Sequence, residues 1–384
     1  MSSMAERAYF DYCATTPLHP QVLETVLACL KTHFGNPSSL HAEGRRAEKL
    51  LNHAREQVAR SLGAAPDEII FTSGATEANN LALQGVMARS GPEKNHLITS
   101  AIEHHATLHT AEALEREGYK LTILPVDPNG YVDPESVRDG LRPETALISI
   151  MYVNNETGAL QPIDEITSIA AQHGVPLHTD AVQAVGLFPI NVKASGIDLL
   201  SLSAHKIYGP KGAGVLYIRG GMELSPLLYG GPQEGGQRAG TENVAGIAGL
   251  GAAMQLVQSK RVEEAARLQK LRELLVDRIN AAIPGAIVNG VPERTAPHVI
   301  SVSFPRADAE MMLFRLDQEG FAASMGSACN AESVEPSHVL QAMGLPMDDI
   351  QGTLRISIGY PTTGDEIDRL IDVLPGIVEE CSVG

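Results

Sequence analysis

The chain has 384 residues, of which 43% are apolar and 20% charged, with a formal net charge of -17. That length exceeds what one hydrophobic core comfortably serves, so two domains, or one large domain with an appendage, are expected. The acidic balance, an aromatic content of 4% and the absence of Trp exclude a general nucleic-acid platform, because phosphates repel an acidic surface and bases need rings to stack on.

From residue 66 to 220, short β-branched runs alternate with amphipathic or Ala-rich stretches. Strands are predicted over 68–73, 96–101, 120–126, 145–153, 175–181, 197–204 and 214–220, with helical patterns such as "ATEANNLALQGVMARSG" and "IDEITSIAAQHG" between them. Apolar strands separated by helices read as a mainly parallel α/β sheet buried on both faces. A long charged amphipathic helix is predicted over 257–283, as a connector. Beyond it the pattern turns α+β: "HVISVSF", a helix around "AEMMLFRLDQEG", the cysteine-bearing "SMGSACNAESVEPSHVL", the strand "TLRISIGY" and a last helix in "TGDEIDRLIDVLPGIVEEC". The expected organisation is a large domain over 15–257 and a small one formed by 1–14 and 258–384, with a cysteine loop at 322–337. No apolar run approaches the ~18 residues of a membrane span. The N-terminus carries neither a signal core nor an Arg-rich transit pattern, so a cytoplasmic location is expected.

Ligands of parallel α/β sheets gather at the carboxyl ends of the strands. The first end reads "FTSGATEANN", where Gly74, Ala75 and Thr76 either offer backbone N–H groups to a phosphate or form an ordinary helix cap with Glu77. At "SAIEHHATL", His104 is a surface residue, a metal ligand or a ring that stacks on something flat; no Cys or Asp spacing supports metal. "MYVNNETG" sets Asn154, Asn155 and Glu156 at a strand end, for a ligand contact or for capping a turn. "HTDAVQ" carries Asp180 and Gln183, and "SLSAHKIYGPKG" carries Ser203, His205 and Lys206. A buried carboxylate needs a cation or donors, and a lysine leaving an apolar strand suits covalent attachment of an aldehyde. Lys211 competes for that role but lies in a Gly/Pro turn.

One ligand uses all these ends: pyridoxal 5'-phosphate. Lys206 meets its aldehyde, Asp180 its pyridine nitrogen, and His104 its ring face. Gly74 to Thr76, Ser203 and His205 meet its phosphate.

With "FDYCATTPLHP", "FGNPSSLH", "FTSGATEANNLA", "VNNETG", "HTDAVQ", "SAHKIYGPKG", "GGPQEGGQRAGTENV" and "GSACNAESVEPSHVL" in this order, the chain resembles the cysteine desulfurases. These belong to the class V aminotransferase branch of fold-type I pyridoxal-phosphate enzymes, and the likeness to the group with a longer cysteine loop runs from about residue 8 to 375. The resemblance implies an α/β large domain with a mainly parallel seven-stranded sheet and a smaller α+β domain. It implies that Lys206 holds the cofactor and moves protons, that Asp180 pairs with the ring nitrogen and Gln183 with the ring oxygen, and that His104 stacks. Thr76, Ser203 and His205 would hold the phosphate, with Thr241 of a neighbouring subunit, so that the active unit is a homodimer. Asn155 and Arg355 would bind the carboxylate of L-cysteine, with Asn36 lining the pocket. Cys329 would take the sulfur as a persulfide and hand it to a sulfur-acceptor protein, for iron–sulfur assembly or thiolation. Relatives often read Thr-Ser where this chain has Asn330 and Ala331, and Ser where it has Ala239. An aminotransferase on the same fold would not need Cys329, and an inactive homologue would not keep Asp180, His104, Lys206, Arg355 and Cys329 together. Cys13, Cys29 and Cys381 sit in no comparable setting. The four cysteines suggest neither a disulfide framework nor a metal site.

Overall fold

The computed structural model describes residues 7–326 and 336–382. A short strand, β1 (Ala8–Tyr9), precedes helices α1 (Pro20–Thr32) and α2 (Ala42–Leu62). In α2 the buried side chains Ala47, Leu51, Ala54, Val58 and Leu62 recur every three or four residues, which gives the helix one apolar face. Gly63 ends it at φ 70°, a left-handed stop that glycine adopts without a Cβ penalty.

The alternating region follows as β2 (Ile69–Thr72), α3 (Ala75–Arg89), β3 (His96–Ser100), α4 (His105–Arg116), β4 (Lys120–Leu124), α5 (Pro134–Gly140), β5 (Thr145–Ser149), α6 (Ile163–Gln172), β6 (Leu177–Asp180), α7 (Val192–Ser195), β7 (Leu199–Ser203) and β8 (Gly214–Ile218). The seven strands β2 to β8 form one sheet in the order β2-β8-β7-β6-β5-β3-β4. Every predicted strand of this region is present. Only β8 runs against the others, pairing antiparallel with both β7 and β2. The Gly/Pro turn between Ser203 and Gly214 is too short for the crossover that parallel pairing requires. Gly214 also lets β8 approach the start of α3, because a Cβ there would stand 2.6 Å from the Gly74 Cα. The ends of β2, β6 and β7, at Thr72, Asp180 and Ser203, therefore share one edge of the sheet.

The long helix, α8, spans Val244–Ala282 and so begins well before the predicted 257. Its first turns, "VAGIAGLGAAM", carry no charge and are buried nearly all round, so they show none of the polar–apolar alternation that betrays a surface helix. Small residues allow this: a Cβ at Gly251 would lie 2.8 Å from the Ala54 Cα of α2.

Beyond α8 come β9 (Ile287–Val288), β10 (Val299–Ser303), α9 (Ala309–Gln318), β11 (Phe321–Ala322), α10 (His338–Ala342), α11 (Met347–Gln351), β12 (Thr353–Ser357) and α12 (Gly364–Glu380). An antiparallel sheet β12-β10-β9 and the parallel pair β1-β11 join them. One apolar cluster underlies the large sheet. A second gathers Phe10, Leu275, Val302, Phe304, Met312, Phe321, Ile356 and Leu370, so α8 contributes to both.

Candidate active site

A cavity of about 420 Å³ opens where the shared strand ends face β12. Gly74, Ala75, Thr76, His104, Asn155, Asp180, Gln183, Ser203, His205, Lys206 and Arg355 all line it. Asn36 and Thr241 do not: both are exposed, and the Asn36 amide oxygen accepts from the Ser38 N–H at 2.9 Å. Cys329, with Asn330 and Ala331, lies outside the described residues.

Asp180 ends β6 as a buried carboxylate. Its Oδ2 accepts from Asn79 Nδ2 at 2.7 Å and its Oδ1 from the Val182 N–H at 3.0 Å. The Asn79 Oδ1 meets no partner among the described residues. These two bonds fix the carboxylate in the cavity wall, where a ring nitrogen could stand opposite it.

Lys206 sits in the single turn after β7, and its Nζ donates to the carbonyls of Cys13 at 2.5 Å and Ala14 at 2.8 Å. Those carbonyls belong to the strand-to-helix passage "DYCATTP", which aims the amine into the cavity. Lys211 also lines the cavity but from the exposed Gly/Pro turn.

The start of α3 supplies a row of backbone N–H groups without intrahelical partners, the arrangement that suits an anion. Glu77 binds back to the Ser73 N–H at 2.8 Å and pairs with Arg238 at 2.8 Å, so the helix start is braced as well as open. A Cβ at Gly74 would project to 3.8 Å from Ser203 Oγ, into the space between helix start and strand end. His205 binds Thr15 Oγ1 at 3.2 Å, and burial, with Lys206 and Lys211 beside it, pushes its pKa down to about 4.

His104 caps α4, its Nδ1 accepting from the Ala106 N–H at 3.0 Å. Burial and then the Lys206 cation hold its pKa below the ordinary value, against the pull of Asp180. The histidines His105 and His109 stack on each other with ring centres 4.6 Å apart, and no group of three or more metal-ligating side chains occurs among the described residues.

The amides of "VNNETG" divide their work. Asn154 Oδ1 accepts from the Glu156 and Thr157 N–H groups, which is turn capping, while Asn155 lines the cavity. Arg355, 2% exposed, donates through Nη1 to the Asn155 carbonyl at 3.0 Å and pairs through Nη2 with Asp11 Oδ1 at 2.7 Å. Its Nε finds no partner among the described residues. Glu156 turns away, accepting from Ser337 Oγ at 2.5 Å.

Three contributors escaped the sequence reading. Asn79 lies four residues into α3, where a polar side chain on a buried face was the available signal. Asp11 sits in the quoted "FDYCATTP" but only its partner Arg355 reveals a role. His298, at the head of "HVISVSF", lies outside the cavity lining but places its Nε2 3.1 Å from Gln183 Oε1, and it carries no pattern of its own.

The residues fit pyridoxal phosphate: a buried carboxylate, an amine, an open helix start and a guanidinium with an unpartnered Nε share a cavity large enough for a small cofactor. A family model for the class-V aminotransferases matches residues 8–370. The chain belongs to the class-V aminotransferase family. The cysteine desulfurase IscS of Dictyoglomus turgidum is 46% identical over 377 residues, which cover 98% of this chain and 96% of that one. Among solved structures, a NifS-like protein superposes with a TM-score of 0.92 at 37% identity, covering 97% of this chain and all of its own. A structure described as SspA in complex with cysteine gives 0.82 at 39% identity, over 91% of this chain and 98% of that one. The near-full-length likeness to the Dictyoglomus turgidum relative makes the chain a cysteine desulfurase, and its family makes the cofactor pyridoxal 5'-phosphate. The fold is the α/β arrangement of these enzymes. Among the described residues no helix is long and apolar enough to cross a membrane.

Proposed function

We propose that this desulfurase works on L-cysteine through Lys206, Asp180, His104, Arg355 and Cys329, in two coupled subunits of a large unit (15–257) and a small one (1–14 with 258–384). The observation that carries the reading is that Asp180 and Lys206 leave the ends of neighbouring strands into one cavity. A relative solved with cysteine bound supports the substrate.

Bound pyridoxal phosphate supplies a ring that withdraws electrons from the α-carbon of an amino acid. Asp180 holds the proton of the ring nitrogen, Gln183 donates to the ring oxygen, and His104 covers the ring face. The α3 start, Thr76, Ser203 and His205 hold the phosphate, with Thr241 from the second subunit. Lys206 Nζ binds the cofactor and moves protons beside the substrate. The Arg355 fork, with Asn155, orients the substrate carboxylate, and Asn36 lines the pocket. The Cys329 thiolate takes the sulfur: the carbon–sulfur bond of the substrate breaks, a sulfur–sulfur bond forms on Cys329, and alanine leaves. A sulfur-acceptor protein of the cytoplasm then removes the outer sulfur, for iron–sulfur assembly or thiolation.

The exposed side chains Leu30, Phe34, Leu40 and Tyr229 support the homodimer, being apolar surface on the same segments as Asn36 and near Thr241 in sequence. The test is Lys206→Ala. The variant is expected to lose the visible absorbance of the bound cofactor together with alanine formation; a parental band would overturn the assignment.

A further inference from the structure

Behind Gln183 lies a second cavity, of about 60 Å³, between the segments that follow β6 and β7, helix α8 and the stretch after β12. Gln183 and Lys206 line both cavities, whereas His298 lines only the smaller one. The side chains meet in a chain of contacts: His298 Nε2 lies 3.1 Å from Gln183 Oε1, and Gln183 Nε2 lies 3.1 Å from the Cys13 carbonyl. Both Gln183 and His298 are buried.

The chemistry of the partners settles which way the amide points. A carbonyl accepts and never donates, so the end of Gln183 that faces Cys13 is the nitrogen. Its oxygen then faces His298, and since that oxygen only accepts, the hydrogen of the ring sits on His298 Nε2. A neutral imidazole has one N–H, so Nδ1 is left bare, and it has no partner among the described residues. Burial supports neutrality, pushing the pKa of His298 down to about 3, with Arg355 and Arg272 adding to it. Gln183 has two N–H bonds: one goes to Cys13, and because Gln183 also lines the larger cavity the second is available to a group bound there.

We propose that His298 is a positioning residue that locks the Gln183 amide so that it presents N–H, rather than C=O, to the ring oxygen of the bound cofactor. The proposal rests on the assignment of Gln183 to that oxygen. The Cys13 carbonyl alone is a weaker lock, because it is shared with Lys206 Nζ. Without His298 the buried Gln183 oxygen lacks a donor and rotates towards the cavity, setting oxygen against oxygen. An amide N–H stabilises the ring oxygen as an anion. Withdrawing it makes that oxygen more basic, so the visible band of the cofactor titrates at a higher pH.

The experiment compares holoenzymes of the parent, His298→Leu, His298→Gln, Gln183→Leu and the double variant. It measures cofactor dissociation and the pH at which the visible band titrates, with melting temperatures to confirm folding. His298→Leu is expected to weaken cofactor binding about fivefold and to move the band upward in pH, as Gln183→Leu does. His298→Gln, which keeps a donor, restores most of the parental values, and the double variant moves no further than Gln183→Leu alone. A parental band in His298→Leu alongside a shifted one in Gln183→Leu overturns the role of His298 and leaves Gln183 standing. Parental values in Gln183→Leu overturn both. Equal shifts in His298→Leu and His298→Gln, or additive shifts in the double variant, mean that His298 acts only through packing and also overturn the proposal. If His298→Leu does not fold, His298→Gln decides: a shifted band in a folded His298→Gln enzyme overturns the lock, and a parental one supports it.

Discussion

Asn79 of α3 donates its side-chain amide to Asp180 Oδ2 of β6 at 2.7 Å, and neither residue is more than 6% exposed. This bond ties the helix whose start faces the cavity to the carboxylate at its floor. Without that donor Asp180 Oδ2 is a buried acceptor left unsatisfied, and the carboxylate is no longer fixed in place opposite the cofactor nitrogen. Asn79→Leu is therefore expected to weaken cofactor binding about tenfold, read by titrating the apoenzyme with cofactor. Unchanged affinity would show that the Val182 N–H suffices for Asp180.

Replacing Cys329 tests a different step. Cys329→Ser should keep the cofactor band and the spectral change on adding L-cysteine, because Asp180, Lys206 and Arg355 are untouched. Catalytic sulfide release under a thiol reductant should fall to background, since a serine hydroxyl does not take up sulfur as a thiolate does. Normal turnover would remove Cys329 from the reaction.

The strands and most of the cavity were legible because their signals are local. Apolar runs ending in polar residues mark parallel strands, so Asp180, Ser203 and Lys206 could be assigned to one sheet edge from spacing alone. The first turns of α8 were not legible: burial on all sides erases the periodicity by which a helix is recognised. Asn79, Asp11 and His298 failed for another reason. Each acts through a residue distant in sequence, Asp180, Arg355 and Gln183 respectively, and only the folded chain brings the partners together.

Glu103, beside His104, is fully buried, and its Oε1 accepts from Ser100 Oγ at 2.6 Å and the Met151 N–H at 2.9 Å. Burial, with Asp180 nearby, pushes its pKa from 4.5 up to about 8. Between those values the folded chain holds a proton that the unfolded chain has released. The stabilisation is thus fully present below pH 4.5 and is lost as pH rises to about 8. Glu103→Gln mimics the neutral acid without titrating. Its melting temperature should fall less steeply than the parent's across this window and exceed the parent's above it. Parallel melting curves against pH would show that Glu103 ionises normally.

Asn36 and Thr241 stay out of this chain's cavity, and a second subunit is the means by which they would reach one. Thr241→Asp would set a carboxylate against the cofactor phosphate, and Lys206→Ala removes the attachment point; each homodimer should be inactive. In a mixed dimer, the cavity of the Thr241→Asp chain keeps its own Lys206 and receives an intact Thr241 from its neighbour. The other cavity carries both defects. Unfolding and refolding an equal mixture should recover about a quarter of parental activity, one good site in half of the dimers. If Thr241 instead served its own chain, neither cavity of the mixed dimer would be complete and no activity would return. Alanine formation in the refolded mixture, set against each variant refolded alone, separates the two arrangements.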